Sequence, residues 1–212
     1  MLTIDVISDT VCPWCFIGKR RLGQALDEET RGIVVRWRPF ALNPDMPRQG
    51  RDRAAHYRAK FGDERRIAAL TRNLAAEGEK LGIAFAFDAI KRVPNTTDSH
   101  RLILWAASAG VQDLVVEALF KAYFEEARDI GEVEVLTEIA DKAGMDGALV
   151  AELFASDRDI DLVQKEIQAA ANIGVTGVPT FIFAGRLAAV GAQPKEVLTA
   201  AIAQAAQLSA AQ

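Results

Sequence analysis

Only two cysteines and two histidines occur among the 212 residues, and both cysteines lie in one tetrapeptide, Cys12-Pro13-Trp14-Cys15. With no further cysteine, the pair cannot be one bridge of a larger disulfide framework. A zinc site is poorly supplied as well. Zinc usually takes four ligands, and beyond the cysteines only His56 and His100 are on offer, each far along the chain. No metal is therefore expected. The chain has no stretch of about 18 uninterrupted apolar residues, so no helix is expected to cross a bilayer. It has no basic excess either. A net charge of -4 and a pI near 5.3 argue against nucleic acid or an anionic membrane as partner. The start, Met1-Leu2-Thr3-Ile4-Asp5-Val6-Ile7, lacks the basic region, long apolar run and small-residue cleavage site of a secretory leader. A cytoplasmic location is the expectation. No repeat of fixed period is present.

Half of the residues are hydrophobic and a quarter charged, the composition of an ordinary globular chain. A chain of this size buries roughly 70% of its unfolded surface, enough for a core without disulfide staples. Leu2 to Ser8 is β-branched and alternating, which predicts a strand. Ile17 to Leu26 carries apolar residues at helical spacing, with an end near Gly32, and Ile33 to Phe40 predicts a second strand. Turn residues follow at Pro39, Asn43-Pro44, Pro47 and Gly50. From about Asp52 to Asn172 the pattern is helical, with breaks at Gly82, Val93-Pro94-Asn95, Gly110, Asp129-Ile130-Gly131 and Gly144, so five or six helices are expected. Thr96 or Asp98 is the expected cap of the helix through Trp105. Strand character returns at Thr180 to Phe183, turns at Gly185 into Leu187 to Val190, and Pro194 opens a last helix that frays near Ser209-Ala210-Ala211-Gln212.

A βαβ start and a ββα finish thus flank a helical middle. The fold class is α/β, a thioredoxin-like fold with a large all-helical insertion. Residues 1–48 and 174–212 form the thioredoxin-like domain, and 49–173 the inserted helical domain.

Two thiols spaced two residues apart at a helix start can close a disulfide, and the helix end favours the thiolate that reacts. The expected chemistry is thiol–disulfide exchange, with Cys12 as nucleophile and the more buried Cys15 resolving. Pro13 suits the first helical turn because its missing donor would have no partner there. Trp14 offers an aromatic surface for docking a substrate. Gly177-Val178-Pro179-Thr180 places a proline just before a strand, a candidate cis-proline whose Val178 backbone could pair with an extended substrate. His100 has two readings, a cleft residue that binds a substrate carboxylate or a core residue that satisfies a hydrogen bond. Asp9 likewise serves either in proton transfer or as a loop-capping Asx turn. His56 reads as surface, and Trp37 and Trp105 as core.

Several blocks carry a family resemblance. They are Asp9-Thr10-Val11-Cys12-Pro13-Trp14-Cys15, Ile17-Gly18-Lys19-Arg20-Arg21, Pro39-Phe40-Ala41-Leu42-Asn43-Pro44-Asp45-Met46-Pro47, Asn95-Thr96-Thr97-Asp98-Ser99-His100-Arg101-Leu102, Leu119-Phe120-Lys121-Ala122-Tyr123-Phe124, Gly174-Val175-Thr176-Gly177-Val178-Pro179-Thr180 and Gly191-Ala192-Gln193. In this order they resemble the DsbA family of the thioredoxin superfamily, in its FrnE-like branch, over nearly the whole chain. The resemblance implies two redox cysteines, a cis-proline, and a protein disulfide oxidoreductase or isomerase acting on protein or small-molecule thiols and disulfides. No resident cofactor is implied, with glutathione as a conceivable co-substrate, and a homodimer is left open. Related 2-hydroxychromene-2-carboxylate isomerases and kappa-class glutathione transferases usually carry serine where this chain has Cys12. The alternatives are therefore a glutathione-dependent isomerase or transferase acting on a small aromatic or polyketide-like molecule, and a non-catalytic binding protein. The chain departs from the pattern at Val190, where a serine commonly precedes Gly-Ala-Gln.

Overall fold

The computed structural model describes residues 2–26 and 32–210. In chain order it forms β1 (Leu2–Ser8), α1 (Pro13–Leu26), β2 (Ile33–Pro39), β3 (Arg51–Asp52), α2 (Arg53–Phe61) and α3 (Glu64–Glu79). These are followed by β4 (Arg92–Val93), α4 (Thr97–Ser108), α5 (Gln112–Phe124), α6 (Val133–Lys142), α7 (Gly147–Phe154) and α8 (Ile160–Asn172). The chain closes with β5 (Thr180–Phe183), β6 (Leu187–Val190) and α9 (Lys195–Ala210).

The main sheet has the order β2-β1-β5-β6, with β2 parallel to β1 and the other neighbours antiparallel. β1 lies inside the sheet, which is why Leu2, Ile4, Val6, Ile7 and Ser8 are all buried. The free edge of β2 is closed by a side chain. Gln112 accepts from the Trp37 N–H at 2.9 Å and donates to the Trp37 carbonyl at 3.2 Å, standing in for a further strand. Helix α1 buries Phe16, Ile17, Leu22 and Ala25 and turns Lys19, Arg20 and Arg21 towards acidic partners. Phe16 stacks on Phe120 with ring centres 5.2 Å apart, which ties α1 to α5.

Between β2 and β5 there are seven helices, α2 to α8, where five or six were expected. Two breaks fall outside those expected. One is Gly62-Asp63, where Gly62 adopts a φ of +94° and Asp63 caps α3 by accepting from the Arg66 N–H at 2.9 Å. The other precedes α8, where Asp159 takes a φ of +64° and accepts from the Trp105 indole N–H at 2.9 Å. Residues 83–91, between two of the expected breaks, form no helix. Of the two expected caps of α4, Thr96 holds the N-cap position, but its side chain makes no capping bond. The Asn95 side chain accepts from the Thr97 N–H at 2.9 Å instead, while Asp98 pairs with Arg101. β2 ends at Pro39, one residue short of the expected Phe40, although the Phe40 N–H still donates to the Ser8 carbonyl at 2.9 Å. The expected helix end near Gly32 falls partly on residues 27–31, outside the described residues. α9 continues through Ser209 and Ala210, and the remaining tail residues also lie outside.

Arg101 is the largest fully buried side chain, at 0% exposure. Its guanidinium donates to the carbonyls of Leu153, Ser156 and Arg158 at 2.8, 2.7 and 2.8 Å and to Asp98 at 2.7 Å. It also lies over Trp105 and Phe154. One cation thereby gathers three carbonyls at and just past the end of α7.

Among the described residues no helix is long and apolar enough to cross a membrane.

Candidate functional site

The loop from Ser8 to Val11 carries the chain from β1 into α1, and its anchors position Cys12. The Cys12 N–H donates to the Asp9 carbonyl at 3.0 Å, and the Cys12 carbonyl accepts from Cys15 N–H at 3.0 Å, opening the helix. Thr10 and Ser99 share a hydroxyl–hydroxyl hydrogen bond of 2.8 Å, fastening the loop to α4. The Asp9 carboxylate accepts from the Leu42 N–H at 2.7 Å, so it clasps the segment after β2 rather than forming an Asx turn. Its other oxygen is buried without a hydrogen-bond partner and faces His100 Nε2 at 3.5 Å.

Both cysteines are free thiols. They lie one turn apart at the N-terminus of α1, where unpaired backbone N–H groups favour negative charge. The Cys12 thiol points to the Val178 carbonyl at 3.8 Å. Cys15 sits beneath it, 1% exposed. Burial pushes the Cys15 thiol well above its ordinary pKa, and the neighbouring Cys12 sulfur acts in the same direction. Ser8 and the backbone of Asp9 act against that rise.

The Val178–Pro179 peptide bond is cis. Gly18, one turn past Cys15, lets this segment approach α1. A Cβ at Gly18 would meet Pro179 Cγ at 2.8 Å and Phe181 Cζ at 3.1 Å. On its far side the Pro179 carbonyl accepts from the Gly191 N–H at 2.7 Å, so the Gly191-Ala192-Gln193 turn braces the segment opposite the cysteines. Arg21 of α1 donates to the Ala192 carbonyl and pairs with Glu77 of α3, joining three elements around the site.

A groove of about 290 Å³ opens beside Cys12, with Pro13, Trp14 and Val178 in its lining. Trp14 is 41% exposed. The structure therefore brings four of the sequence-predicted residues to one opening, with Cys15 and Pro179 directly behind. It does not bring His100 there. That side chain is buried, bonds the Phe40 carbonyl through Nε2 at 3.0 Å, and lines other, separate pockets.

The opposite wall of the groove is α2 and α3, which contribute Tyr57, Phe61, Ile67, Leu70 and Leu74. α2 buries no residue and α3 only Gly78, so their apolar side faces the groove more than a core. His56, read from sequence as surface, is half-buried in this wall. Burial and the nearby Lys60 and Arg51 hold its pKa below the usual histidine value. Lys60 donates to Asn43 Oδ1 at 2.7 Å and the Leu42 carbonyl at 3.3 Å. Sequence reasoning missed this wall, and the i, i+3, i+4 apolar spacing of α3 was its only local signal. Among the described residues no three His, Cys, Asp or Glu side chains are grouped to hold a metal ion.

Comparison with known proteins agrees with this architecture. The chain is 32% identical to a probable DsbA oxidoreductase of Streptomyces coelicolor, covering 97% of this chain and 90% of that one, with a TM-score of 0.88. Over 94% of each chain it is 28% identical to the uncharacterized protein YwbO of Bacillus subtilis. More distantly, the cytosolic disulfide reductase DsbM of Pseudomonas aeruginosa, solved with GSH, shares the fold at a TM-score of 0.65 and 21% identity, over 98% of each chain. The model of the DSBA-like thioredoxin domain matches residues 3–203, and the chain belongs to that family.

Proposed function

We propose that the protein exchanges disulfides with protein or small-thiol substrates through Cys12 and Cys15. The observation that carries this reading is the asymmetry of the pair. Cys12, itself only 4% exposed, lines the open groove, while Cys15, 1% exposed, lies behind it and lines none of it. In the reducing direction the Cys12 thiolate attacks one sulfur of a substrate disulfide. A Cys12–substrate disulfide forms, the substrate S–S bond breaks, and the departing thiolate takes up a proton. The Cys15 thiolate then attacks Cys12 Sγ, closing Cys12–Cys15 and releasing the second thiol. Both electrons come from the cysteine pair, and the reverse sequence delivers a disulfide. Trp14 and the backbone of Val178 flank the groove where a substrate would lie.

The test is a trap. Incubated with a disulfide-bonded peptide, Cys15→Ser is expected to accumulate a mixed disulfide on Cys12, visible by mass, and Cys12→Ser none. A Cys15→Ser variant that turns over at the wild-type rate without glutathione refutes the two-step scheme.

One observation favours a second reading, in which glutathione is a substrate. Lys60, at the groove, has only neutral acceptors, and among the described residues no carboxylate pairs with it. A glutathione carboxylate would suit that cation. Saturable glutathione binding that survives Cys15→Ser and weakens in Lys60→Met supports this reading, and unchanged binding in Lys60→Met removes it.

A further inference from the structure

Cys12 is buried, so a substrate disulfide reaches its sulfur through the groove and not across an open surface. The groove, about 290 Å³, is close to the lower end of small-ligand pockets, roughly 300–1,000 Å³. Tyr57, Phe61, Ile67, Leu70, Leu74 and Phe87 make one wall of it apolar, and Leu70 is left exposed there. Phe61 meets Tyr57 edge-on with ring centres 5.2 Å apart, so aromatic surface runs along α2.

The charge around this wall has one sign. No Asp or Glu is among the residues lining the groove. Lys60 donates only to the Leu42 carbonyl and the Asn43 side chain. Arg53 shares its face of α2 by helical spacing, and its guanidinium lies over Tyr57 and Phe87, 4.3 and 5.8 Å from the ring centres. Its Nε and Nη2 are buried with no hydrogen-bond partner. Among the described residues neither cation forms an ion pair. An anion at this end of the groove therefore meets positive charge with no carboxylate competing for it.

We infer that the groove takes a small disulfide or thiol built on a flat apolar body with one carboxylate, the body lying along α2 and α3 and the carboxylate on Lys60. This rests on the cysteine exchange proposed above and names its substrate class. Glutathione would answer the cation and leave the apolar wall uncovered. In the reducing direction the Cys12 thiolate breaks the substrate S–S bond. One half joins Cys12 as a mixed disulfide and the other leaves as a thiolate, so no further oxidant or reductant enters.

The experiment presents reduced protein with dithiodibenzoate, dithiodiglycolate and the diamide of each, and measures the second-order rate at which each disulfide is consumed. The set separates ring from no ring and carboxylate from amide. Dividing each rate by that of mercaptoethanol with the same reagent removes intrinsic reactivity. The corrected rate for dithiodibenzoate is expected to exceed that for its diamide about fivefold, the upper scale of one exposed ion pair. It should exceed that for dithiodiglycolate about tenfold, the scale of a ring partly buried against apolar side chains. Lys60→Met should remove most of the first preference, and Leu70→Ser a large part of the second. Both side chains are exposed, and each preference is a ratio within one preparation, so a loss of folded protein cancels. A wild-type preference under about twofold, or one that survives its variant in full, overturns the inference. So does a disulfide-bonded peptide consumed faster than dithiodibenzoate after the same correction. A wild-type protein that consumes no disulfide at all instead overturns the exchange itself, and the substrate class with it.

Discussion

Arg101→Met offers a direct measure of what holds the helical region together. The substitution keeps an unbranched apolar stem of similar reach and removes the guanidinium. Four hydrogen bonds disappear, to the carbonyls of Leu153, Ser156 and Arg158 and to the Asp98 carboxylate. Ser156 and Arg158 are exposed residues, so their carbonyls recover water, at about 0.5–1.5 kcal/mol each. The Leu153 carbonyl keeps the Ser156 hydroxyl at 3.0 Å, so the larger cost falls on the Asp98 carboxylate, which loses its buried cation. Removing one partner of a buried ion pair typically costs about 3–5 kcal/mol, because the remaining charge stays uncompensated. Replacing both partners would be far cheaper. The expected loss is therefore about 3–5 kcal/mol, or roughly 6–20 °C in Tm at about 2–4 °C per kcal/mol for a domain of this size. Urea unfolding followed by circular dichroism measures it, and adding Asp98→Asn should return part of the loss. Disulfide exchange well below Tm should be unchanged, because Arg101 lines no part of the Cys12 groove. A loss under about 1 kcal/mol would refute the reasoning, showing that the carbonyls at the end of α7 find other donors at no cost.

Further expectations concern the site. Burial raises the Cys15 pKa in the folded state, so above about pH 9 the unfolded chain releases a proton that the folded one keeps. The stability of the reduced protein is therefore complete below the unfolded thiol pKa and declines as pH rises towards the folded one. Urea midpoints at neutral and alkaline pH should diverge less in Cys15→Ala than in wild type, and equal divergence would contradict the assignment. Buried Tyr123, whose pKa is also raised, contributes the same slope to both proteins and cancels in that comparison. Gly18→Ala gains about 1 kcal/mol of helix propensity but forces a methyl against Pro179 and Phe181, an overpacking cost of about 1–3 kcal/mol. Net destabilisation with slower attack by Cys12 is expected, and a variant more stable than wild type with full exchange activity would show that the segment yields freely. Asp9→Ala removes the acceptor of the Leu42 N–H, and a loss of about 1–3 kcal/mol is expected by urea unfolding. An unchanged midpoint would mean that water replaces the carboxylate there.

The sequence by itself determined the elements that local chemistry dictates. β1, β5 and β6 fall at their predicted limits because short apolar runs bounded by turn residues leave little choice. Cys12 and Cys15 could be placed at a helix start because their spacing and Pro13 are local facts. The breaks at Gly110 and Gly144 were legible because glycine alone takes their positive φ at no cost. Only the tertiary structure decided the rest. The break at Asp159 rests on a Trp105 contact formed by folding, whereas Gly62-Asp63 carries the same local signal as the other glycine breaks, followed by a capping aspartate. His100 takes the core one of its two readings, and His56 leaves the expected surface, likewise through contacts formed by folding. The first lies under the Phe40 carbonyl, and the second stands in a groove wall made by two helices that bury almost nothing of their own. Periodicity records which face of an element is apolar, and it is silent on which other element will cover that face.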